Sequence, residues 1–470
     1  MTPIHQTVKK SLFCSYLVFL FLDLAPQLHA ADIAPPAQLQ PAVASPAAIN
    51  SGDNAWLLAS SALVLMMTAP GLILFYGGLV RKKNVLSTMM HSLVLMALIS
   101  AVWMVYGYSM AFGPGNAFCG NPFTHLFLHG VSAATPDADY AGTIPAQSFM
   151  LFQMMFAIIT PALISGAVAE RIKFSAYVMF MLLWVTLIYF PLCHMVWGKG
   201  GFFNWSLGGR IPVLDFAGGT VVHISSGVSA LVFAQMIGKR DGFPHEPMVP
   251  HNVVLSLIGT GLLWVGWFGF NAGSALNAGS LATSAFAATH FSAAAAALSW
   301  AAMEWKLKGK PSVLGAAAGM VAGLATITPA SGFVSIPAAF CIGLIAGVVC
   351  YTAVTKIKSV FGYDDSLDVF GVHGVGSMAG MLMLGFLANP EVNPAIANTF
   401  KANGVAMSLA GGSHQFVNQF IGVAFTVVLA AVGTFLIVKL VNAVIGLRVD
   451  QEDESIGLDL SQHGERAYNE

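Results

Sequence analysis

Charge is what this chain has least of. Only 9% of its 470 residues are Asp, Glu, Lys or Arg, 56% are hydrophobic, and the mean hydropathy is +0.74. A soluble globular chain carries about 25% charged residues, so a polytopic membrane protein is expected. Cysteine is also scarce. Cys14, Cys119, Cys193, Cys341 and Cys350 form no Cys-x-x-Cys pair, which argues against a disulfide framework or a zinc site. Cys193, Cys341 and Cys350 read as small apolar fillers. No phosphate-binding loop, His-Glu-x-x-His or Ser/His/Asp arrangement stands out, so ATP-driven transport and hydrolytic catalysis have no support. No enzyme activity, cofactor, metal or nucleic-acid partner is expected.

What is present is a series of apolar runs. Eleven can be drawn: Trp56–Val80, Val85–Phe112, Ala146–Ala169, Phe174–Trp197, Phe216–Gly238, Val253–Phe270, Leu281–Trp305, Val313–Ile327, Ile336–Thr355, Val369–Leu387 and Ser413–Ile445. Basic residues fall in alternate loops: Arg81, Lys82, Lys83, Arg171, Lys173, Lys239, Arg240, Lys306, Lys308, Lys310, Lys356 and Lys358, with Lys439, Arg448 and Arg466 on the same side. The opposite side holds only Lys199, Arg210 and Lys401. The positive-inside rule then predicts an N-out, C-in protein, which requires an odd number of spans; eleven fits. Ahead of the first run, Lys9 and Lys10 precede the apolar stretch Leu12–Leu22, which leads to Gln-Leu-His-Ala. That is a signal-peptide pattern. The expected layout is a signal peptide over 1–30, an Ala/Pro-rich periplasmic leader over 31–52, a transmembrane domain over 53–446 and a cytoplasmic tail over 447–470.

Two stretches carry the functional signal. Asp215 to Ala230 reads DFAGGTVVHISSGVSA, and Asp365 to Gly376 reads DSLDVFGVHGVG. Each places a histidine, His223 or His373, eight residues after an aspartate, which is roughly 12 Å of helical rise. The two stretches lie 150 residues apart, on the fifth and tenth runs. A shift of five spans reverses direction, so two inverted five-helix repeats plus an eleventh helix are expected, with a site near the midplane. Entering a core about 30 Å thick from opposite faces, the histidines would differ in depth by only about 6 Å. A buried ionisable pair defaults to a functional reading; the plain alternative is a hydrogen bond that pins two helices together. His91 and His194 lie near segment ends and read as solvated or interfacial, and His290 reads as a partner for a neighbouring helix. Trp197 ends the fourth run, where it serves as an interfacial anchor or offers an aromatic face to a cation. Phe156 and Phe270 fall in outer portions of their runs and, taken singly, read as packing. The glycines of Phe75–Gly78 and Gly266–Phe270 favour close helix approach.

These stretches, with PGLILFYGG from Pro70, HMVWG from His194, WFGFNAGSA from Trp267, DVFGVHG from Asp368 and GLDLSQHGERAY from Gly457, resemble the Amt/Mep/Rh ammonium transporters, specifically the bacterial Amt branch. The resemblance runs from about Ala55 to Tyr468. It implies an all-α polytopic protein of eleven transmembrane helices, usually a homotrimer, in the bacterial inner membrane, with one pore per subunit for nitrogen uptake. By position, Trp197, Phe156 and Ser274 match an outer site that recruits ammonium. Phe156 and Phe270 match a gate, His223 and His373 match the twin histidines of the pore, and Asp215 matches a carboxylate that supports the outer site without direct contact. The resemblance also implies a cytoplasmic PII-type regulatory protein, for which the basic loops and Gln451–Glu454 offer a surface. Two rival readings are an ammonium sensor of the same fold and a membrane electron-transfer subunit with histidine-ligated haem.

Overall fold

The computed structural model describes residues 48–402 and 405–468. The expected signal peptide and most of the leader lie outside the described residues. Among the described residues, ten helices are long and apolar enough to cross a membrane: α1 (Ser51–Leu79), α2 (Lys82–Phe112), α3 (Ala146–Val168), α4 (Phe174–Trp197), α5 (Gly219–Ile237), α6 (Val253–Gly273), α7 (Ser280–Lys308), α9 (Ile336–Phe361), α10 (Phe370–Leu387) and α11 (Ser413–Ile445). Between α7 and α9 lies a shorter apolar helix, α8 (Val313–Ile327), of 15 residues. Two short helices, α12 (Gln451–Ile456) and α13 (Leu458–His463), form the tail. The all-α expectation needs one correction. Among the described residues, two small antiparallel ribbons pair β1 (Pro136–Asp137) with β2 (Ala141–Pro145) and β3 (Phe400–Ala402) with β4 (Val405–Met407).

Local chemistry sets several boundaries. The side chain of Asn50 accepts from the amides of Gly52 and Asp53 to start α1, and Asn252 and Ser312 cap α6 and α8 the same way, satisfying amides that have no carbonyl partner in a first turn. Inside α1 the helix is interrupted at Ala69 and Pro70, where proline lacks the N–H the ladder needs. Both α5 and α10 begin in a π-helical turn, Gly219–Ile224 and Phe370–Gly374, and each of these turns holds one of the two histidines. Such turns concentrate at functional positions.

The helices that carry the histidines meet at a glycine seam. A Cβ on Gly227 of α5 would lie 2.3 Å from the backbone nitrogen of Gly374 in α10, so only hydrogen fits there. The glycines of Gly266–Phe270 behave as expected: side chains on Gly266 and Gly269 would strike α1 at Met67, Leu63 and Ser60. Cys193 and Cys350 are buried fillers, but Cys341 is exposed on α9.

The end rich in Lys and Arg is tied together by buried charge. Glu170 accepts from the backbone N–H and Nε of Arg81 (2.7 and 2.6 Å), and Arg240 holds Asp364 through Nη2 and Nε (2.8 and 3.0 Å). Arg171, fully buried, donates to the carbonyls of Gly238, Ala167, Ala169 and Asp364. These bonds join the turns that come after α1, α3, α5 and α9. The tail docks on the same end. Asp459 accepts from the Ser87 amide (2.8 Å), Asn84 accepts from the Leu458 amide (2.8 Å), and Arg448 pairs with Glu454 (2.6 Å).

Candidate conduction site

The loop before α5 is organised by one carboxylate. Asp215 Oδ1 accepts from the amides of Gly218 and Gly219 (2.7 and 2.6 Å), while Oδ2 accepts from the amide and hydroxyl of Thr220 (2.7 and 2.5 Å). A negative group is favourable at a helix N-terminus. Gly218 sits at φ +114°, a backbone conformation that favours glycine. The Asp-x-x-Gly-Gly-Thr pattern is therefore a cap that sets the start of α5 and, with it, the position of His223. The Asp215 carbonyl accepts from Trp197 Nε1 (3.0 Å), which fixes the indole through backbone rather than carboxylate.

Trp197 stands edge-on to Phe156, with centroids 5.9 Å apart and planes at 90°, and Phe156 stacks on Phe270 at 4.2 Å. Ser274 donates its hydroxyl to the Phe270 carbonyl (2.9 Å), leaving its oxygen lone pairs available to an N–H donor. Trp197, Phe156, Ser274 and Asp215 line one cavity of about 280 Å³. Gln153, which sequence reasoning missed, lines it too, and its buried Oε1 has no partner among the described residues. Its signal in the sequence was weak: a single polar residue three positions before Phe156 in an apolar run.

Past the stacked phenylalanines lies a narrow space. It holds about 10 Å³ and is walled by Ile159, Leu163, Val222, Leu263, Val321 and Phe270, with His223 and His373 beside it. That is room for about one water-sized molecule. His223 and His373 are both buried, and their Nδ1 atoms are 3.2 Å apart. One of these nitrogens must donate and the other accept, so when both rings are neutral they are opposite tautomers. Their Nε2 atoms then offer one N–H and one lone pair. Trp267 stacks on His223 at 5.5 Å and is held by a hydrogen bond from Nε1 to Thr328 Oγ1 (2.9 Å).

The halves match beyond the histidines. Thr220 N donates to Asp215 Oδ2 and Phe370 N donates to Asp365 Oδ2, each at 2.7 Å and five residues on. A second cavity, of about 290 Å³, opens beyond His373 and is lined by Asp368, Glu304 and Tyr351. At this end Asp365 is fully buried, and its Oδ1 has no hydrogen-bond partner among the described residues. Burial, with the charge of Asp368 adding to it against the pull of Lys358, raises its carboxyl from 3.8 to about 6. Its neighbour Asp364 goes the other way. Burial alone would raise it, but hydrogen bonding and charge from Arg240 and Arg171 hold it below the usual range.

The remaining histidines stand elsewhere. His91 and His194 are buried rather than solvated. His91 is buried against Tyr177 at 4.2 Å, and His194 meets the carbonyls of Ala111 and Asn116 (3.1 and 2.9 Å). The loop around Asn116 and the N-terminal turn of α4 cover segment ends that a linear reading leaves open. His290 is exposed and packs beside Trp264 of α6 at 5.3 Å.

Two vestibules flanking a narrow apolar space, with paired imidazoles inside a bundle of apolar helices, give the arrangement of a membrane transport protein. Comparison with known proteins makes the assignment specific. The profile of the Ammonium Transporter Family matches residues 55–468. The ammonium transporter of Bacillus subtilis is 46% identical over 424 residues, covering 90% of this chain and 100% of that protein. Ammonium transporter Amt1 of Archaeoglobus fulgidus is 43% identical, covering 89% and 100%. Among solved structures, Saccharomyces cerevisiae Mep2 aligns with TM-score 0.77 at 32% identity, covering 86% of this chain and 91% of that one. A structure described as a sensor Amt protein aligns with TM-score 0.78 at 28% identity. The chain belongs to the ammonium transporter family.

Proposed function

We propose that the protein carries ammonium nitrogen across the bacterial inner membrane, with NH4+ recruited at the Trp197 end and passed inward as ammonia. The observation that carries this reading is the His223–His373 contact of 3.2 Å beside a space for about one water, behind the stacked Phe156 and Phe270. Ammonium and potassium are alike in size, so a cavity alone separates them poorly. Aromatic faces attract either cation, but only ammonium donates N–H bonds, for which Ser274 and Gln153 supply oxygen acceptors. Asp215 supports this site through the backbone carbonyl that holds Trp197. Beyond the phenylalanines a bare cation meets no compensating charge and is excluded by desolvation. Neutral ammonia passes, because paired imidazoles present both a donor and an acceptor to it. Histidine also relays protons near neutrality.

In the same reading α8 counts as a span, giving eleven helices in two inverted halves plus α11, with the N-terminus outside and the tail in the cytoplasm. Residues 1–30 are removed as a signal peptide, three copies assemble, and a PII-type protein docks on the basic end. The distribution of Lys and Arg supports the orientation, and the matching caps at Asp215 and Asp365 support the inverted repeat.

The test is current from purified protein in liposomes after an ammonium pulse, with His223→Ala alongside. Current in the wild type that is lost in the variant supports proton relay through the pair. Alkalinisation of the lumen without current makes the pore an ammonia channel. Silence in both measurements would overturn transport in favour of sensing, the reading that a sensor of the same fold keeps open. The haem reading has no such support: the space beside the two imidazoles is about 10 Å³, far too small for a macrocycle.

A further inference from the structure

We infer that the basic-end vestibule holds a second cation site, built from Glu304 and the ring of Tyr351 and filled here by the protein's own ammonium group, that of Lys308. This rests on the transport reading above and assigns the site to release on that side. Glu304 is almost fully buried near the end of α7. Its Oε2 accepts from the amide and hydroxyl of Ser312 (both 2.8 Å), which bind it to the start of α8. Its Oε1 accepts from Lys308 Nζ, at 3.2 Å. The same Nζ lies 5.6 Å from the centroid of the Tyr351 ring, within the range of cation–π attraction. An ammonium group thus sits between a carboxylate oxygen and an aromatic face. Gly315 makes the space, since a Cβ there would lie 2.3 Å from Glu304 Oε2.

The position bears on the substrate path. Glu304, Lys308, Tyr351, Asp368 and His373 line one cavity, so the site opens onto the same space as the second pore histidine. Its rings repeat the geometry of the Trp197 end. Trp300 stands edge-on to Tyr351 at 5.5 Å and 88°, as Phe156 stands to Trp197 at 5.9 Å and 90°. Where the Trp197 end offers neutral oxygens, this one offers a carboxylate, which suits a cation formed by reprotonation of ammonia. The side chain of Lys308 is 54% exposed, so it can swing out and yield the place. It acts as a tethered competitor, keeping small N–H-bearing cations such as ammonium and methylammonium from lodging at the exit.

The experiment measures labelled methylammonium flux in vesicles of each orientation carrying the full chain. K308Q is expected to lower KM at the basic face about tenfold, with KM at the Trp197 face unchanged. The double variant K308Q/Y351L should bring it back to the wild-type value. K306Q removes the same charge from an exposed neighbour that does not line the cavity and should behave as wild type. An active wild type whose K308Q and K306Q variants behave alike overturns the site, because the effect is then one of general charge; so does a K308Q value that Y351L fails to reverse. A wild type silent from both faces overturns the transport reading itself.

Discussion

Asp215 and Asp365 occupy equivalent places, each eight residues before one of the paired histidines and each accepting an amide five residues on, yet their surroundings differ. Asp215 uses both oxygens and gathers the amides of Gly218, Gly219 and Thr220 together with a hydroxyl. Asp365 accepts from Phe370, keeps Oδ1 without a hydrogen-bond partner among the described residues, and is raised by burial to about 6. The amides of Gly218 and Gly219 close on the first carboxylate, whereas Asp368 and Val369 stand at the corresponding places in the second half, where Asp368, at φ +61°, pairs with Lys358. One end is a rigid, satisfied cap beneath an aromatic site. The other is an under-satisfied carboxyl beside Lys358 and Asp368, in an end held by ion pairs and the docked tail.

The comparison is broken most severely by Asp215→Ala. Removing the acceptor strands several buried amides, and a loss on the order of 3–5 kcal/mol should appear as a large fall in apparent Tm with transport abolished; a mild effect would mean that water replaces the carboxylate. Gly227→Ala comes next. Its Cβ would press on the Gly374 backbone, so overpacking of about 1–3 kcal/mol should part the imidazoles and cut ammonium flux more than tenfold, while Tm falls only modestly.

Asp365→Asn sharpens the contrast through pH. A carboxyl raised from 3.8 to about 6 in the fold contributes stability in full below 3.8, and that contribution is lost as pH rises through about 6. Wild-type stability should therefore decline across this window by on the order of 1–3 kcal/mol, and the asparagine variant should be flatter there in a thermal melt at stepped pH. Trp197→Leu should leave folding intact and cost about 1–2 kcal/mol of cation attraction. In competition flux assays that is roughly a tenfold loss of preference for ammonium over potassium. The smallest effect belongs to Lys199→Ala. Its pair with Asp139 is exposed, at 58% and 47% for the two side chains, so less than about 1 kcal/mol is expected and Tm should barely move.

Much of the site was legible in the linear chain because helical rise converts spacing into depth. Eight residues from Asp215 to His223, repeated 150 residues later, were enough to anticipate two imidazoles near one level, and the structure brings them to 3.2 Å. Trp197, Phe156, Phe270 and Ser274 came from motif resemblance, and all of them cluster beside one cavity. Other features left no such trace. Gln153 looks like any isolated polar residue. His91 and His194 look interfacial because nothing in their own runs announces the loop and helix that cover them. Cys341 looks like Cys350 until the packing of α9 turns one outward. Lys308 and Tyr351 are 43 residues apart in sequence and meet only because α7 packs against α9.

By itself, then, the sequence determined the membrane class, the apolar runs, the alternation of basic loops and the matched spacing of the two histidines, because composition and period act along the chain and need no partner. Which face each helix buries, how closely α5 approaches α10 at Gly227 and Gly374, and what fills the vestibule beyond His373 were decided only in three dimensions. Those outcomes depend on excluded volume and on hydrogen bonds between residues far apart in the chain, and no local pattern encodes them.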